Sequence, residues 1–446
     1  MTGYRGEVQR ILRAASVKVG DKIKAVSRGR TYVGVLMPRT ELGDPDHLVL
    51  KLDNGYNIGV KVGRSTKVAL LESRELPKLA VPKPAVVPDA SKPRVTIVGT
   101  GGTIASRVDY RTGAVYPAFT AEDIYNAVPE IAEIANVKVV QACNVFSEHM
   151  IPELWAKVAR IVAKEINDGA TGVVVAHGTD TMGYTAAALS FMLQGLFRPV
   201  VLVGSQRSSD RPSSDAALNL ISAVAVAAKS DIAEVTVVMH GSTEDDHCLI
   251  HRGTKVRKCH TSRRDAFQSI NDIPLGMVRE GQIVMFRDDY RRAGSAGRVR
   301  VQDRLEKRVA LVKTTPGLPA SVIKGIIASG DRGIVLEGTG LGHVPQTLFE
   351  GIELAQRRKI PVVMTSQCLW GRVDMNVYST GRELLQLGVI PAEDMLPEVA
   401  WVKLMWVLGR TRDLERVARL MRQNLAGEIT PRTRPDAFLK PLFTPG

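Results

Sequence analysis

The apolar residues of this chain follow two rhythms, and the change falls near residue 94. Ahead of it, VGDKIKAVSRGRTYVGVLMPR, HLVLKLDNGYNIGVKV and KVALL are short β-rich runs broken by turn residues, with Asp53-Asn54-Gly55 as a strong hairpin signal. A short helix is expected before them, around Val8–Ala15. These segments predict a small all-β barrel over residues 1–76. Residues 77–93, PKLAVPKPAVVPDASKP, hold five prolines. That composition favours extended backbone poor in hydrogen bonds, and it reads as a semi-rigid linker.

From residue 94 the runs become nearly continuous: RVTIVG, TGVVVAHG, RPVVLVG, EVTVVMHG, GIVLEG and IPVVMTS, each ending in Gly, Ser or Thr. Between them lie helical segments such as ELWAKVARIVAKEIND, TAAALSFMLQG and DAALNLISAVAVAAK. Unbroken Val/Ile runs alternating with helices mark a parallel sheet buried on both faces, hence an α/β fold class. A second α/β series, RVALVKT, GIIAS, GIVLEGTG and KIPVVMTSQ, begins at residue 309, with helices to follow around Asp413–Ala426. The expected organisation is therefore a larger α/β domain at 94–300 and a smaller one at 301–446. In such sheets ligands bind beyond the carboxyl ends of the strands, where these Gly and Thr residues sit.

Composition narrows the class. With 44% hydrophobic and 24% charged residues the chain reads as globular. Four dispersed cysteines without a C-x-x-C pair suggest neither a disulfide framework nor a zinc knuckle. No apolar run approaches the roughly 18 residues of a membrane helix, and the N-terminus lacks a signal-peptide pattern, so a cytoplasmic protein without membrane contact is expected. The net charge is +14, and it is concentrated. Residues 1–90 carry 16 Lys+Arg against 9 Asp+Glu, and residues 251–310 carry 15 against 7, while the rest is close to neutral. Two basic segments on a neutral body have the character of docking surfaces for RNA or an acidic partner, with an ordinary solvated face as the alternative. No aromatic interleaving or RNA-binding motif accompanies them.

Two strand ends hold candidate chemistry: Thr100-Gly101-Gly102-Thr103-Ile104-Ala105 after RVTIVG, and His177-Gly178-Thr179-Asp180-Thr181-Met182 after TGVVVA. Paired glycines admit close backbone approach and offer amide donors to a developing anion. The first is not the dinucleotide pattern G-x-G-x-x-G, and no Lys-Ser/Thr follows it as in a P-loop. A threonine at a strand end becomes a nucleophile when a base takes its proton; otherwise it is turn chemistry.

Together, TGGTIAS and HGTDTM resemble the signature loops of the bacterial-type L-asparaginase/glutaminase family, a resemblance that covers roughly residues 94–430. It implies an asparaginase-like two-domain parallel-sheet architecture, with the smaller domain completing the site across a dimer. It also implies Thr103 as nucleophile, Thr179 and Asp180 as the second threonine and its acidic neighbour, and Gly102 among the oxyanion donors. The family's catalytic lysine, upstream of a phenylalanine, falls at Lys258 in VRKCHTSRRDAFQS, with Lys255 as second choice. Tyr116 in GAVYPAF resembles the tyrosine of the substrate flap. The implied reaction is side-chain amide hydrolysis through an acyl-enzyme. Where the family usually has Ser-Gln to hold the amino acid's α-groups, this chain has Ser147-Glu148, and the added charge leaves the choice between asparagine and glutamine open.

Ordinary family members begin close to the first signature loop, whereas here a basic β-domain and a Pro-rich linker come first. That layout resembles the glutaminase subunits of archaeal tRNA-dependent amidotransferases. The resemblance implies a chain that needs no cofactor of its own and releases ammonia from glutamine. A partner, the E-type subunit of the amidotransferase, would bind Glu-tRNA(Gln), activate its glutamate with ATP and Mg²⁺, and accept the ammonia. A stand-alone asparaginase and a non-enzymatic RNA-binding module are the competing readings.

Overall fold

The computed structural model describes residues 4–37, 39, 44–53, 57–73, 89–101, 106–109, 114–117, 128–207 and 213–438. The chain divides into two compact units, Met1–Ala85 with Ser106–Ala118, and Val86–Ala105 with Phe119–Gly446. Most of the Pro-rich segment, and the tip of the hairpin at Asn54-Gly55, lie outside the described residues.

The first unit opens with helix α1 (Gly6–Ala14), whose Val8 and Leu12 are buried. Five antiparallel strands follow: β1 (Lys22–Ser27), β2 (Arg30–Leu36), β3 (His47–Lys51), β4 (Asn57–Lys61) and β5 (Lys67–Glu72). Their order is β4-β3-β2-β1-β5, so β4 and β5 end the sheet rather than pairing to close it. The sheet nevertheless curls: the Ser27 hydroxyl at the end of β1 donates to the Lys61 carbonyl at the end of β4, at 2.6 Å. Ile23, Ala25, Leu36, Leu48 and Leu50 fill the concave side with Val8 and Leu12. A hairpin, β7 (Ser106–Asp109) and β8 (Ala114–Pro117), also belongs to this unit.

The second unit is built on an eight-stranded sheet. Its strands are β6 (Arg94–Gly99), β9 (Asn136–Gln141), β10 (Gly172–Ala176), β11 (Val200–Val203), β12 (Val235–His240), β13 (His247–Arg252), β16 (Gly276–Arg279) and β17 (Gln282–Met285). Five are parallel, in the order β12-β11-β10-β6-β9. β13, β16 and β17 extend the β12 edge as an antiparallel meander, so the sheet is mixed rather than wholly parallel. The reason is connection length. Parallel neighbours need a crossover of a dozen residues or so, and the link between β12 and β13 is too short for one. Between β16 and β17 stand only Glu280 and Gly281, both with positive φ, as a two-residue hairpin turn requires.

Helices α2 (Pro152–Asn167), α3 (Met182–Met192) and α4 (Ala216–Lys229) cover the sheet. α2 starts with Pro152 and Glu153 and ends near Lys164, the order that suits helix termini and dipole. α3 is apolar all round and is buried accordingly. A two-stranded pair, β14 (Val256–Lys258) with β15 (Phe267–Ser269), leaves the sheet. The smaller lobe has four parallel strands in sequential order: β18 (Val309–Lys313), β19 (Gly333–Gly338), β20 (Val362–Ser366) and β21 (Ile390–Pro391). It is covered by α5 (Ala320–Ala328), α6 (Phe349–Arg357), α7 (Ser379–Gln386), α8 (Pro397–Leu408) and α9 (Leu414–Arg422). The GIIAS run closes α5 rather than forming a strand. α8 packs on α3, so one core runs through both lobes.

Candidate active site

The order β10-β6-β9 places the strand after β6 on one side of it and β10 on the other. That reversal opens a crevice beyond the carboxyl ends of β6 and β10. Both signature loops emerge there. Thr100 is buried, and its N–H and hydroxyl both donate to the Ala176 carbonyl, at 3.1 and 2.9 Å. Gly101 has φ +112°, and a Cβ there would lie 2.3 Å from the Val145 carbonyl oxygen, so glycine is required. Gly102 and Thr103 lie outside the described residues. Tyr116 is in β8 opposite Arg107, and its side chain is likewise outside them.

The second loop is fixed by contacts on two sides. Thr179–Thr181 forms one 3-10 turn that leads into α3. The Thr181 hydroxyl donates to the Ser147 carbonyl at 2.6 Å, and a Cβ on Gly178 would stand 2.8 Å from that of Ser147. Ser147, buried, is thereby brought against the loop, while Glu148 is exposed on the same turn, Ser147–His149. Below the loop, His177 is fully buried, and desolvation lowers its pKa to about 4, so it is neutral. A carbonyl can only accept, so Nδ1–H donates to Gly178 O at 2.7 Å. Nε2 then accepts from Thr185 at 2.8 Å, and Thr185 accepts from Trp155 Nε1 at 3.0 Å.

Lys258, the last residue of β14, donates to Thr179 Oγ1 at 2.9 Å and to Asp180 Oδ1 at 2.6 Å. Its side chain is 14% exposed and that of Asp180 68%. A lysine held between a hydroxyl and a carboxylate forms a compact proton-transfer unit: it shields a developing alkoxide when charged and takes a proton when neutral. Lys255 has no part in this. It is fully buried and lies 2.7 Å from Asp394, which also accepts from the Thr430 backbone N–H at 3.0 Å. Burial lowers its pKa, with Asp394 opposing.

One support of the site was not foreseen from the sequence. Asp215, fully buried, accepts from the N–H groups of Gln206 and Arg207 at 2.9–3.0 Å. Asn219 donates to Asp215 and to the Gly204 carbonyl, and its Oδ1 lies 2.6 Å from His240 Nδ1. Gly204 backs onto Thr179: a Cβ there would lie 3.0 Å from Thr179 Cγ2. The one signal in the sequence was a repeated His-Gly at strand ends, His177-Gly178 and His240-Gly241. Among the described residues no helix is long and apolar enough to cross a membrane.

Comparison with known proteins adds to this geometry. The family model for the asparaginase N-terminal domain matches residues 94–291, and that for the glutaminase/asparaginase C-terminal domain matches 308–421. The GatD N-terminal domain matches 17–71. The D-type subunit of glutamyl-tRNA(Gln) amidotransferase from Pyrococcus horikoshii is 57% identical over 97% of this chain and 100% of its own. The Methanothermobacter thermautotrophicus protein of the same name is 53% identical over 96% and 98%. Among solved structures, the thermostable L-asparaginase from Thermococcus kodakarensis aligns with TM-score 0.68 and 36% identity over 76% of this chain and 100% of that one. A probable cytoplasmic L-asparaginase from Campylobacter jejuni aligns with TM-score 0.62 and 29% identity over 75% and 100%.

Proposed function

Since this chain belongs to the family of D-type subunits of glutamyl-tRNA(Gln) amidotransferase, we propose that it is the glutaminase component of such an enzyme. It hydrolyses glutamine to glutamate and ammonia, and the ammonia converts Glu-tRNA(Gln) to Gln-tRNA(Gln) in the cytoplasm. The partner, the E-type subunit, carries the tRNA and uses ATP and Mg²⁺ to activate the tRNA-bound glutamate; no cofactor is assigned to this chain. The observation that carries the reading is the Lys258 ammonium seated between Thr179 and Asp180 at the crevice of an asparaginase-type sheet. The match of residues 17–71 to the GatD N-terminal domain favours this reading over a stand-alone asparaginase.

In the proposed mechanism the Thr103 hydroxyl attacks the carboxamide carbon and gives up its proton as the C–O bond forms. The C–N bond then breaks, and the departing nitrogen takes up that same proton and leaves as ammonia, with the Thr103 ester of the donor left behind. Thr179, Lys258 and Asp180 activate the water that cleaves the acyl-enzyme. Backbone N–H groups near Gly102 and Thr179 face the oxyanion. Ser147 and Glu148 hold the donor's α-carboxylate and α-ammonium, and Tyr116 covers the bound donor.

The test is glutamine turnover by the purified chain alone, then with the E-type partner, then with that partner and Glu-tRNA(Gln), run beside asparagine. Stepwise stimulation on glutamine is expected, and ammonium chloride should restore amidation in a Thr103→Ala variant. Full turnover by the isolated chain, unmoved by either addition, would return the protein to the stand-alone hydrolases.

A further inference from the structure

The basic character of residues 251–310 plays no part in the hydrolytic site beyond Lys258, and the structure sorts its charges into paired and unpaired. Arg252 and Arg287 are bound to buried Asp272, and Arg263 to Asp265. Arg292 pairs with Asp231, and Lys307 with Glu153. Of the segment's arginines left without an ion pair among the described residues, Arg279 and Arg291 stand singly, and the other three lie together on the connector between the two lobes. There GRVRVQDRL alternates strictly: Val299 is buried and Val301 and Leu305 pack on the core, while Arg298, Arg300, Gln302 and Arg304 are exposed. An extended chain sends alternate side chains to opposite faces, so one face of this ribbon presents three arginines. The two neighbours Arg298 and Arg300 are spaced about 6.6–6.8 Å apart along it. Among the described residues none of the three has an acidic partner. The ribbon's own acid, Asp303, is taken by Arg160 at 2.7 Å.

The ribbon is also held in shape. Val299 exchanges two hydrogen bonds with the Asn167 side chain, at 2.9 and 3.0 Å. Residues 300 and 301 pair with Gln194 and Leu193, and the Gln302 N–H donates to the Met192 carbonyl at 2.8 Å. Arg410, stacked 3.5 Å over the Trp406 ring, donates to the Gln302 side chain and backbone, both at 2.8 Å. The arginines are thus displayed from a backbone already fixed, which lowers the ordering cost of binding.

We propose that this connector, through Arg298, Arg300 and Arg304, binds the phosphate backbone of an RNA. Guanidinium groups match phosphate bidentately, and their step is of the order of that between successive phosphates on a strand. The outward face offers only arginine and glutamine. It lacks the aromatic or apolar anchors that centre a protein interface, and it has no ring on which a base could stack. With the proposed function, on which this identification rests, the RNA is the tRNA substrate, and the contact is independent of its sequence.

The test measures binding of an unacylated tRNA(Gln) transcript to the complex of this chain with its partner, across a series of salt concentrations. In an R298E/R300E/R304E variant, affinity should fall at least about tenfold and the salt dependence should lose roughly 2–3 released counterions. An R298K/R300K/R304K variant should stay near native. Glutamine hydrolysis by the chain and its melting should be unchanged in both. Equal affinity and equal salt slope in the charge-reversed complex would overturn the assignment. So would loss of the partner without loss of tRNA affinity per assembled complex, since the ribbon would then be a protein-docking surface. If the native complex binds the transcript but hydrolyses no glutamine, the proposed function falls while the ribbon stands. Native hydrolysis with an indifferent ribbon gives the reverse.

Discussion

The parallel strands of the two larger sheets of the second unit end in similar Gly- and Thr-rich loops, yet their chemistry differs. In the larger sheet the strand order reverses between β10 and β6, and the reversal brings Thr100, Thr179 and, from outside the sheet, Lys258 to one crevice. In the smaller sheet the strands run in sequence, β18 to β21, with no reversal. A cavity of about 740 Å³ does open near its strand ends, lined by Ser366, Cys368, Arg372, Asp374 and Glu393 among others. Its polar groups are largely occupied. The Ser366 hydroxyl donates to the Gly340 carbonyl at 2.6 Å, and Arg372 is bound to Glu393 and the Thr430 carbonyl. Volume alone does not make a site; a lysine shared between a hydroxyl and a carboxylate, as Lys258 is between Thr179 and Asp180, does. The smaller sheet serves the crevice differently, through Asp394, which anchors Lys255 three residues before Lys258.

The sharpest way to break this division is to exchange the fates of the two lysines. Lys258→Ala should lower glutamine turnover by about 10²–10⁴-fold, the range of a lost proton-transfer group, with melting unchanged. Thr179→Ala should behave alike, and the double variant should lose little more, because the two act as one unit. Lys255→Met takes the nearest cation from buried Asp394 and leaves it only Arg372 at 3.9 Å, a cost of up to about 3–5 kcal/mol in stability. Adding Asp394→Leu should recover part of that loss. Denaturant unfolding and steady-state kinetics on the same preparations decide the matter. If folded Lys255→Met is as inactive as Lys258→Ala, the smaller sheet does more than hold the strand.

How much of this was legible in the sequence depended on the kind of contact. The buried parallel strands were, because a strand covered on both faces needs an unbroken apolar run, as in GVVVA at 172–176, every residue of which is buried. The antiparallel edge was not, since HCLIHR at 247–252 mixes polar and apolar residues, although the Glu280-Gly281 turn signals a hairpin. The N-terminal segment reads as a small all-β barrel from its short strands and turns; which strands the curl brings together, as where Ser27 at the end of β1 meets Lys61 at the end of β4, no local pattern encodes. In the site, the resemblance to the family's lysine–phenylalanine stretch implies Lys258 ahead of Lys255, and Lys258 is the lysine that meets Thr179. The braces behind it were invisible, because Trp155 and Thr185, or Asn219 and His240, meet only after distant segments pack.

The crevice should also be the acid-sensitive region. His177 is neutral and buried with a pKa near 4, below the ordinary value of 6.5, so the unfolded chain binds a proton that the folded loop refuses. Its contribution is complete above pH 6.5 and is lost as the pH falls toward 4, by roughly 3 kcal/mol. His251, buried with a pKa near 3, adds to the same trend. Unfolding free energies of the native chain and of His177→Gln between pH 7.5 and 4.5 test this. The variant should start less stable and fall less steeply; parallel curves would mean that the His177 ring takes up its proton without unfolding the loop.

The smallest effect concerns Glu148, where this chain departs from the Ser-Gln pair of the wider family. Glu148 is exposed on the turn whose Ser147 is clamped to the second signature loop, so a carboxylate is presented beside the crevice with no ion-pair partner among the described residues. An amino-acid donor brings an α-ammonium that such a carboxylate can receive. A hydrogen bond to a charged group contributes about 1.5–3 kcal/mol, which corresponds to roughly 10- to 100-fold in binding. Glu148→Gln keeps the shape but removes the charge. It should raise KM for glutamine within that range and leave kcat nearly unchanged, because the contact is made equally in ground and transition states. Glu148→Lys places two cations together and should almost abolish donor use. The contrast with asparagine sharpens the point: the α-groups of the two amino acids are identical, so the KM of any asparagine turnover should shift by the same factor. A shift for glutamine alone would mean that Glu148 senses side-chain length, and unchanged kinetics in both variants would mean that it faces away from the donor.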